Sequence, residues 1–178
     1  LHARAIALAG SSGQALAFGP GHVERTPDAG ERGVAVYSAH RDTHFAFLKN
    51  VIVGDEIDAG FVLHAPGATP AGFEALRVLS EPLWLALPEG HPAAVRKTLR
   101  DRDIAGAPLL IFPREVTPSL YDAILADQRA RGLTPQVAQE AIQMQTLVNL
   151  VSAGMGVAWV PETVTRLQRP GVVYRRAA

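Results

Sequence analysis

The spacing of apolar and polar positions changes period several times along this chain, most clearly across residues 109–122. Leu109, Leu110, Ile111 and Phe112 form a continuous bulky run. Such a run predicts a strand buried on both faces, and Pro113, which has no amide to donate, ends it. Beyond it Leu120, Ile124 and Leu125 recur at helical spacing. Pro118 suits a first-turn position and Thr117 or Ser119 suits the cap. The flanking stretches follow the same plan. Residues 82–88 predict a strand, 92–99 a short helix with basic residues on one side, and 135–140 a strand. Residues 142–153 predict a helix with Met144, Leu147, Val148 and Val151 as its core stripe, stopped by Gly154 and Gly156. A buried strand at 157–161, a short helix at 162–167 and a strand at 172–174 complete the series. Strands alternating with helices of this length predict right-handed βαβ units, hence an α/β domain with a Rossmann-like, parallel-type sheet flanked by helices.

The first third reads differently. Residues 2–9 and 15–18 are short apolar pieces on either side of Gly10-Ser11-Ser12-Gly13, and residues 19–21 and 26–30 carry turn chemistry. Residues 34–38 form an apolar strand that delivers Ala39-His40-Arg41-Asp42-Thr43-His44-Phe45, and the turn at 54–57 leads into another strand. From 59 to 69 the composition shifts to Gly, Ala, Pro and His, which reads as a linker or loop. The expected organisation is a small β-rich, partial-barrel segment at 1–62, a seam at 63–72 and an α/β domain at 73–178.

Composition narrows the possibilities. With 178 residues, 48% of them hydrophobic and 19% charged, the chain can bury a core. A formal net charge of +0 gives no overall pull towards nucleic acid or an anionic membrane. The local basic runs, Arg96, Lys97, Arg100 and Arg102 and then Arg175 and Arg176, read as solvated faces. The absence of cysteine excludes disulfides, thiolate catalysis and zinc sites built on sulfur. No apolar run approaches a membrane span, and Leu1 is no initiator, so the chain reads as a fragment or a processed product.

The loop 114–117 then draws attention, because it joins the carboxyl end of a strand to the amino end of a helix. Ligands bind at that place in open α/β sheets, and helix amides together with Arg114 favour an anion. The alternative is an ordinary connection with a solvated arginine. Gln143, Gln145 and Thr146 sit at the amino end of the next helix, where they either cap it or hydrogen-bond a carboxylate. In the first third, His40 follows a strand directly and suits acid–base work. His40 and His44 are four apart, as in some zinc sites, but no adjacent Glu supplies a metalloprotease pattern and no metal is assigned. Ser38, His40 and Asp42 lie close in sequence, which does not set the geometry of a nucleophile and its base.

Two resemblances bear on these residues. Phe18-Gly19-Pro20-Gly21-His22-Val23, the His40-Arg41-Asp42-Thr43-His44-Phe45 core with Phe47-Leu48, and Gly54-Asp55-Glu56-Ile57 resemble the first half of a Gram-negative-type sortase, over about 8–58. His40 matches the catalytic histidine of that family. The cysteine nucleophile and the later arginine segment that a sortase requires are missing, so transpeptidation is not expected and the chain is not expected to act as an enzyme. Glu81-Pro82-Leu83-Trp84-Leu85-Ala86-Leu87-Pro88 with Gly90-His91-Pro92, then Leu110-Ile111-Phe112-Pro113-Arg114-Glu115, Gln143-Met144-Gln145-Thr146, and Val151-Ser152-Ala153-Gly154-Met155-Gly156-Val157 with Val160-Pro161, resemble the effector-binding region of a LysR-type transcriptional regulator. This likeness runs over about 73–176.

The LysR resemblance implies the second lobe of a periplasmic-binding-protein-like fold, entered and left through hinge strands, without the first lobe or the DNA-binding domain. By position it implies that Phe112, Pro113, Arg114, Gln143, Gln145 and Thr146 line an effector cleft. The expected partner is a small-molecule carboxylate. No cofactor and no direct nucleic-acid contact are expected. A homo-oligomer is expected from sheet edges left unpaired in a half-barrel. The LysR reading implies a cytoplasmic protein, the sortase reading one of the cell envelope, and a chimeric fragment with no ligand is the third alternative.

Overall fold

The computed structural model describes residues 2–10, 16–19, 22–25, 36–38, 59–67 and 73–177. Eleven strands and two α-helices lie among them. The strands are β1 (His2–Gly10), β2 (Leu16–Gly19), β3 (His22–Arg25), β4 (Val36–Ser38), β5 (Ala59–His64), β6 (Phe73–Pro88), β7 (Thr98–Leu99), β8 (Pro108–Ile111), β9 (Gln136–Glu140), β10 (Ala158–Pro161) and β11 (Val172–Ala177). The helices are α1 (Pro118–Ala130) and α2 (Met144–Ser152).

The expected α/β architecture is present from β6 onward. β8 pairs in parallel with β9, and Leu109 bridges in parallel to Val157, where Leu110 N donates to Val157 O and Val157 N to Pro108 O, both at 2.8 Å. β10 and β11 both pair antiparallel with β6, and β11 pairs in parallel with β7. Five strands of the lobe therefore share one direction and β6 opposes them. The parallel-type expectation thus has one exception, because β6 is no product of a helical crossover. It enters from the other end of the sheet. The crossovers β8–α1–β9 and β9–α2–β10 step in opposite directions along the sheet, so with the usual right hand their helices cover opposite faces.

Packing follows the pattern of the sequence. In α1 the buried positions are Leu120, Ile124, Leu125 and Gln128, and in α2 they are Leu147, Val148 and Val151. Both faces of the sheet meet helices or turns, which is why Leu109, Leu110, Leu85 and Leu87 are at most 1% exposed. Gly154 ends α2 in the left-handed region, φ 78°, with Met155 N donating to Leu150 O at 3.1 Å. Gly156 has a separate reason to be glycine. A Cβ there would collide with the carbonyl oxygen of Pro108, at the point where β8 meets the start of β10.

Several local expectations change. The helix expected at 92–99 is a 3-10 turn at Pro92–Val95, after which Arg96 is extended and Thr98–Leu99 joins β11 as a strand. Pairing with the sheet outweighs helical propensity there. The helix expected at 162–167 is also a 3-10 run. The stretch read as a linker from residue 59 contains β5, hidden in the sequence because Gly and Ala dilute its Phe61-Val62-Leu63 core. β1 lies between β5 and β6, antiparallel to both, and β4 pairs in parallel with β5. The strands before residue 65 therefore continue the sheet of the lobe through β1 and β6, while β2 and β3 form a separate hairpin ladder.

Candidate functional site

Two turns leave the carboxyl ends of adjacent strands. The first joins β8 to α1 over residues 112–117, and the second joins β9 to α2 over 141–143. Ala141 N donates to Ile111 O at 3.0 Å, which fastens the start of the second turn to the end of β8. The fold thus brings the two groups of expected site residues to neighbouring strand ends.

In the first turn, Phe112 is buried in the core. Pro113 is half-buried, and its carbonyl accepts from Val116 N at 3.0 Å. Arg114 is exposed and grips Asp122 on α1 in a two-pronged pair, Nε donating to Oδ1 at 2.8 Å and Nη2 to Oδ2 at 2.7 Å. The hydrogen bonds to Arg114 hold the Asp122 carboxyl below its ordinary range, and the same bonds raise the proton affinity of Arg114. The sequence placed a lone cation in this loop; the structure places an ion pair, whose field on an incoming anion is weaker than that of an isolated arginine.

In the second turn, Gln143 occupies the cap position of α2, where its carbonyl accepts from Leu147 N at 3.1 Å and its side chain makes no cap bond. Gln143, Gln145 and Thr146 are all exposed at the amino end of α2. They are accessible to a solute rather than absorbed into packing.

Three further residues gather at the amino end of α1. Thr117 takes the cap position, and its carbonyl accepts from Leu120 N and Tyr121 N at 3.1 and 3.0 Å. Its hydroxyl is buried without a hydrogen-bond partner among the described residues, so the side chain expected to cap the helix does not. Ser119 does not cap either. Its Oγ accepts from Ala65 N at 3.2 Å, tying the first turn of α1 to the end of β5. His64 beside it is buried, and its Nδ1–H donates to Ala65 O at 2.8 Å. Burial lowers the His64 pKa from the ordinary 6.5, against the opposing effect of that bond. The sequence contained one signal of this cluster, hydroxyls on both sides of Pro118; the part played by β5 had none.

Comparison with known proteins settles what this arrangement belongs to. A sequence model of the LysR substrate binding domain matches residues 43–178. The chain belongs to the LysR substrate-binding-domain family. A sortase domain model matches residues 1–60, which agrees with the resemblance seen there. The LysR match begins at residue 43, ahead of the range 73–176 over which the resemblance runs, and so includes β5 as well as the whole of β6. The HTH-type transcriptional regulator IlvR of Caulobacter vibrioides is 40% identical over 124 residues, which are 69% of this chain and 41% of that protein. The chain spans about two fifths of the length of the curated relatives it matches. Among solved structures, CbnR, a LysR family transcriptional regulator, superposes with a TM-score of 0.66 at 19% identity, covering 82% of this chain and 58% of that one. The BenM effector binding domain with its effector benzoate gives 0.61 at 18% identity, covering 81% and 76%. Residues 73–178 make up about three fifths of this chain, so the LysR-like fold extends back into the strands before β6.

His40, the expected sortase-like catalytic histidine, lies outside the described residues, as do Asp42 and His44. Among the described residues no group of three or more His, Asp or Glu is arranged to hold a metal ion, and no helix is long and apolar enough to cross a membrane.

Proposed function

We propose that this chain is a sensing lobe of a LysR-type transcriptional regulator and that its effector is a small organic carboxylate, bound where the turns after β8 and β9 meet the amino ends of α1 and α2. The observation that carries this reading is the buried, unpartnered Thr117 hydroxyl at the mouth of a thirteen-residue helix. A buried hydroxyl without a partner costs free energy, and a carboxylate oxygen at the helix amino end is the group that would satisfy it. Phe112 and Pro113 supply an apolar floor, Arg114 an adjustable cation, and Gln143, Gln145 and Thr146 exposed hydrogen-bonding groups from the neighbouring turn. The benzoate that is the effector of the BenM effector binding domain supports the carboxylate class. A regulator of this type would work in the cytoplasm, with DNA read by another part of the protein.

Thermal denaturation with acetate, pyruvate and benzoate tests the reading, since a ligand that binds only the native state raises Tm by mass action. One of these acids should raise the Tm of the wild type, and the increment should vanish in Thr117→Val. Arg114→Ala should lose it as well, because Asp122 would then face the anion unneutralised. No increment with any of the three acids, or increments unchanged in both variants, would defeat the proposal.

The sortase match at residues 1–60 favours a second reading, an inactive sortase-like module in which His40 stands without a nucleophile. Binding of a peptide without turnover, lost in His40→Ala, would favour it over the sensing role.

A further inference from the structure

The reading proposed above leaves His64 unused, although its side chain is buried. It ends β5 beside Ala65, whose amide is held by Ser119 in the first turn of α1. Its Nδ1–H is committed to the Ala65 carbonyl at 2.8 Å, which fixes the neutral tautomer and leaves Nε2 carrying the lone pair. On β1, Arg4 stands opposite His64 in register. On α1 there are Tyr121 and Asp122, the latter already held by Arg114. Burial and the Ala65 carbonyl set the proton affinity of His64, with no described acid contributing.

We propose that a carboxylate bound at the amino end of α1 draws a proton from solvent onto Nε2 of His64, so that effector binding is coupled to proton uptake. This rests on the carboxylate-sensing reading above. The physical basis is that a buried imidazolium is costly alone and favourable beside an anion, so the anion and the proton stabilise each other. Reciprocity follows: acid tightens effector binding, and effector makes His64 more basic. The protein would then respond to an undissociated acid's two components together, the anion and its proton.

Calorimetric titration with acetate, pyruvate and benzoate, run at pH 7.5 in buffers of different ionisation heat, counts the protons. The expected result is uptake approaching about one proton per ligand, with Kd rising by up to about tenfold per pH unit above neutrality. His64→Gln should bind with no uptake and a flat Kd. Ligand bound without uptake by the wild type overturns the coupling and leaves the sensing role standing, as does equal uptake by His64→Gln. No binding by any of the three acids from pH 6 to 8 overturns both. Should His64→Gln not fold, the His64 ring resonance of the wild type decides: benzoate must move its titration upward, and an unmoved midpoint sinks the proposal.

Discussion

The two halves of β6 are one strand with opposite surroundings. Leu83, Leu85, Ala86 and Leu87 in the second half are at most 5% exposed, whereas Leu76, Val78 and Leu79 in the first half are 42–53% exposed. Both halves are apolar and both are paired, the first with β1 and the second with β10 and β11. Ladder formation therefore does not bury a strand; layers on its faces do. The second half lies between strands that carry helices on both sides, and the core of the lobe forms there. At the junction of the halves Glu81 is 9% exposed, and its carboxylate accepts from Thr163 N at 2.7 Å and Thr163 Oγ1 at 3.2 Å. That clasp ties β6 to the 3-10 run after β10, where open sheet gives way to closed core.

The contrast can be broken most severely at its buried end. Leu87→Ala should cost about 2–5 kcal/mol in urea unfolding, by transfer and cavity together. Gly156→Ala should cost about 1–3 kcal/mol, because β8 and the start of β10 must separate to admit the methyl group. A smaller cost of Gly156→Ala than of any exposed substitution would mean that this approach is not a tight one. Glu81→Ala should cost about 1–3 kcal/mol by leaving the Thr163 donors without their acceptor. Between the two ends, the buried His64 provides a pH signature. Its folded pKa lies below the ordinary 6.5, so its contribution to stability is present above that value and is lost as the pH falls towards the depressed folded value. Tm should drop on acidification through this window, and His64→Gln should show a shallower drop. Val78→Ser, at the exposed end, should move stability by no more than about 0.5 kcal/mol. A large loss there would mean that this face is covered after all.

Much of the lobe was legible beforehand. The run 109–112 with Pro113 behind it, and the spacing of Leu120, Ile124 and Leu125, specify a strand, a stop and a helix through local steric rules that need no partner. The stripe of Met144, Leu147, Val148 and Val151 was legible for the same reason. The strand β5 was not, because Gly and Ala carry little pattern of their own and its pairing with β1 spans more than fifty residues. Arg114 was identified as a cation at a helix mouth, but its bond to Asp122 depends on the rotation of α1 about its axis. Thr117 and Ser119 were recognised as hydroxyls near a helix start. That one of them reaches across to β5 and the other is buried unpaired depends on where β5 lies.

The sequence by itself determined the strands β8, β9 and β10, the helices α1 and α2 between them, and the placing of a polar turn after the carboxyl end of β8. Those properties arise from side-chain periodicity, proline and glycine, which act over a few residues. Only the tertiary structure decided that β1 and β5 extend the sheet of the lobe, that one half of β6 is core and the other surface, and that His64 meets the first turn of α1. Each of these depends on contacts between residues far apart in the chain, where the energy lies in the pairing rather than in either partner alone.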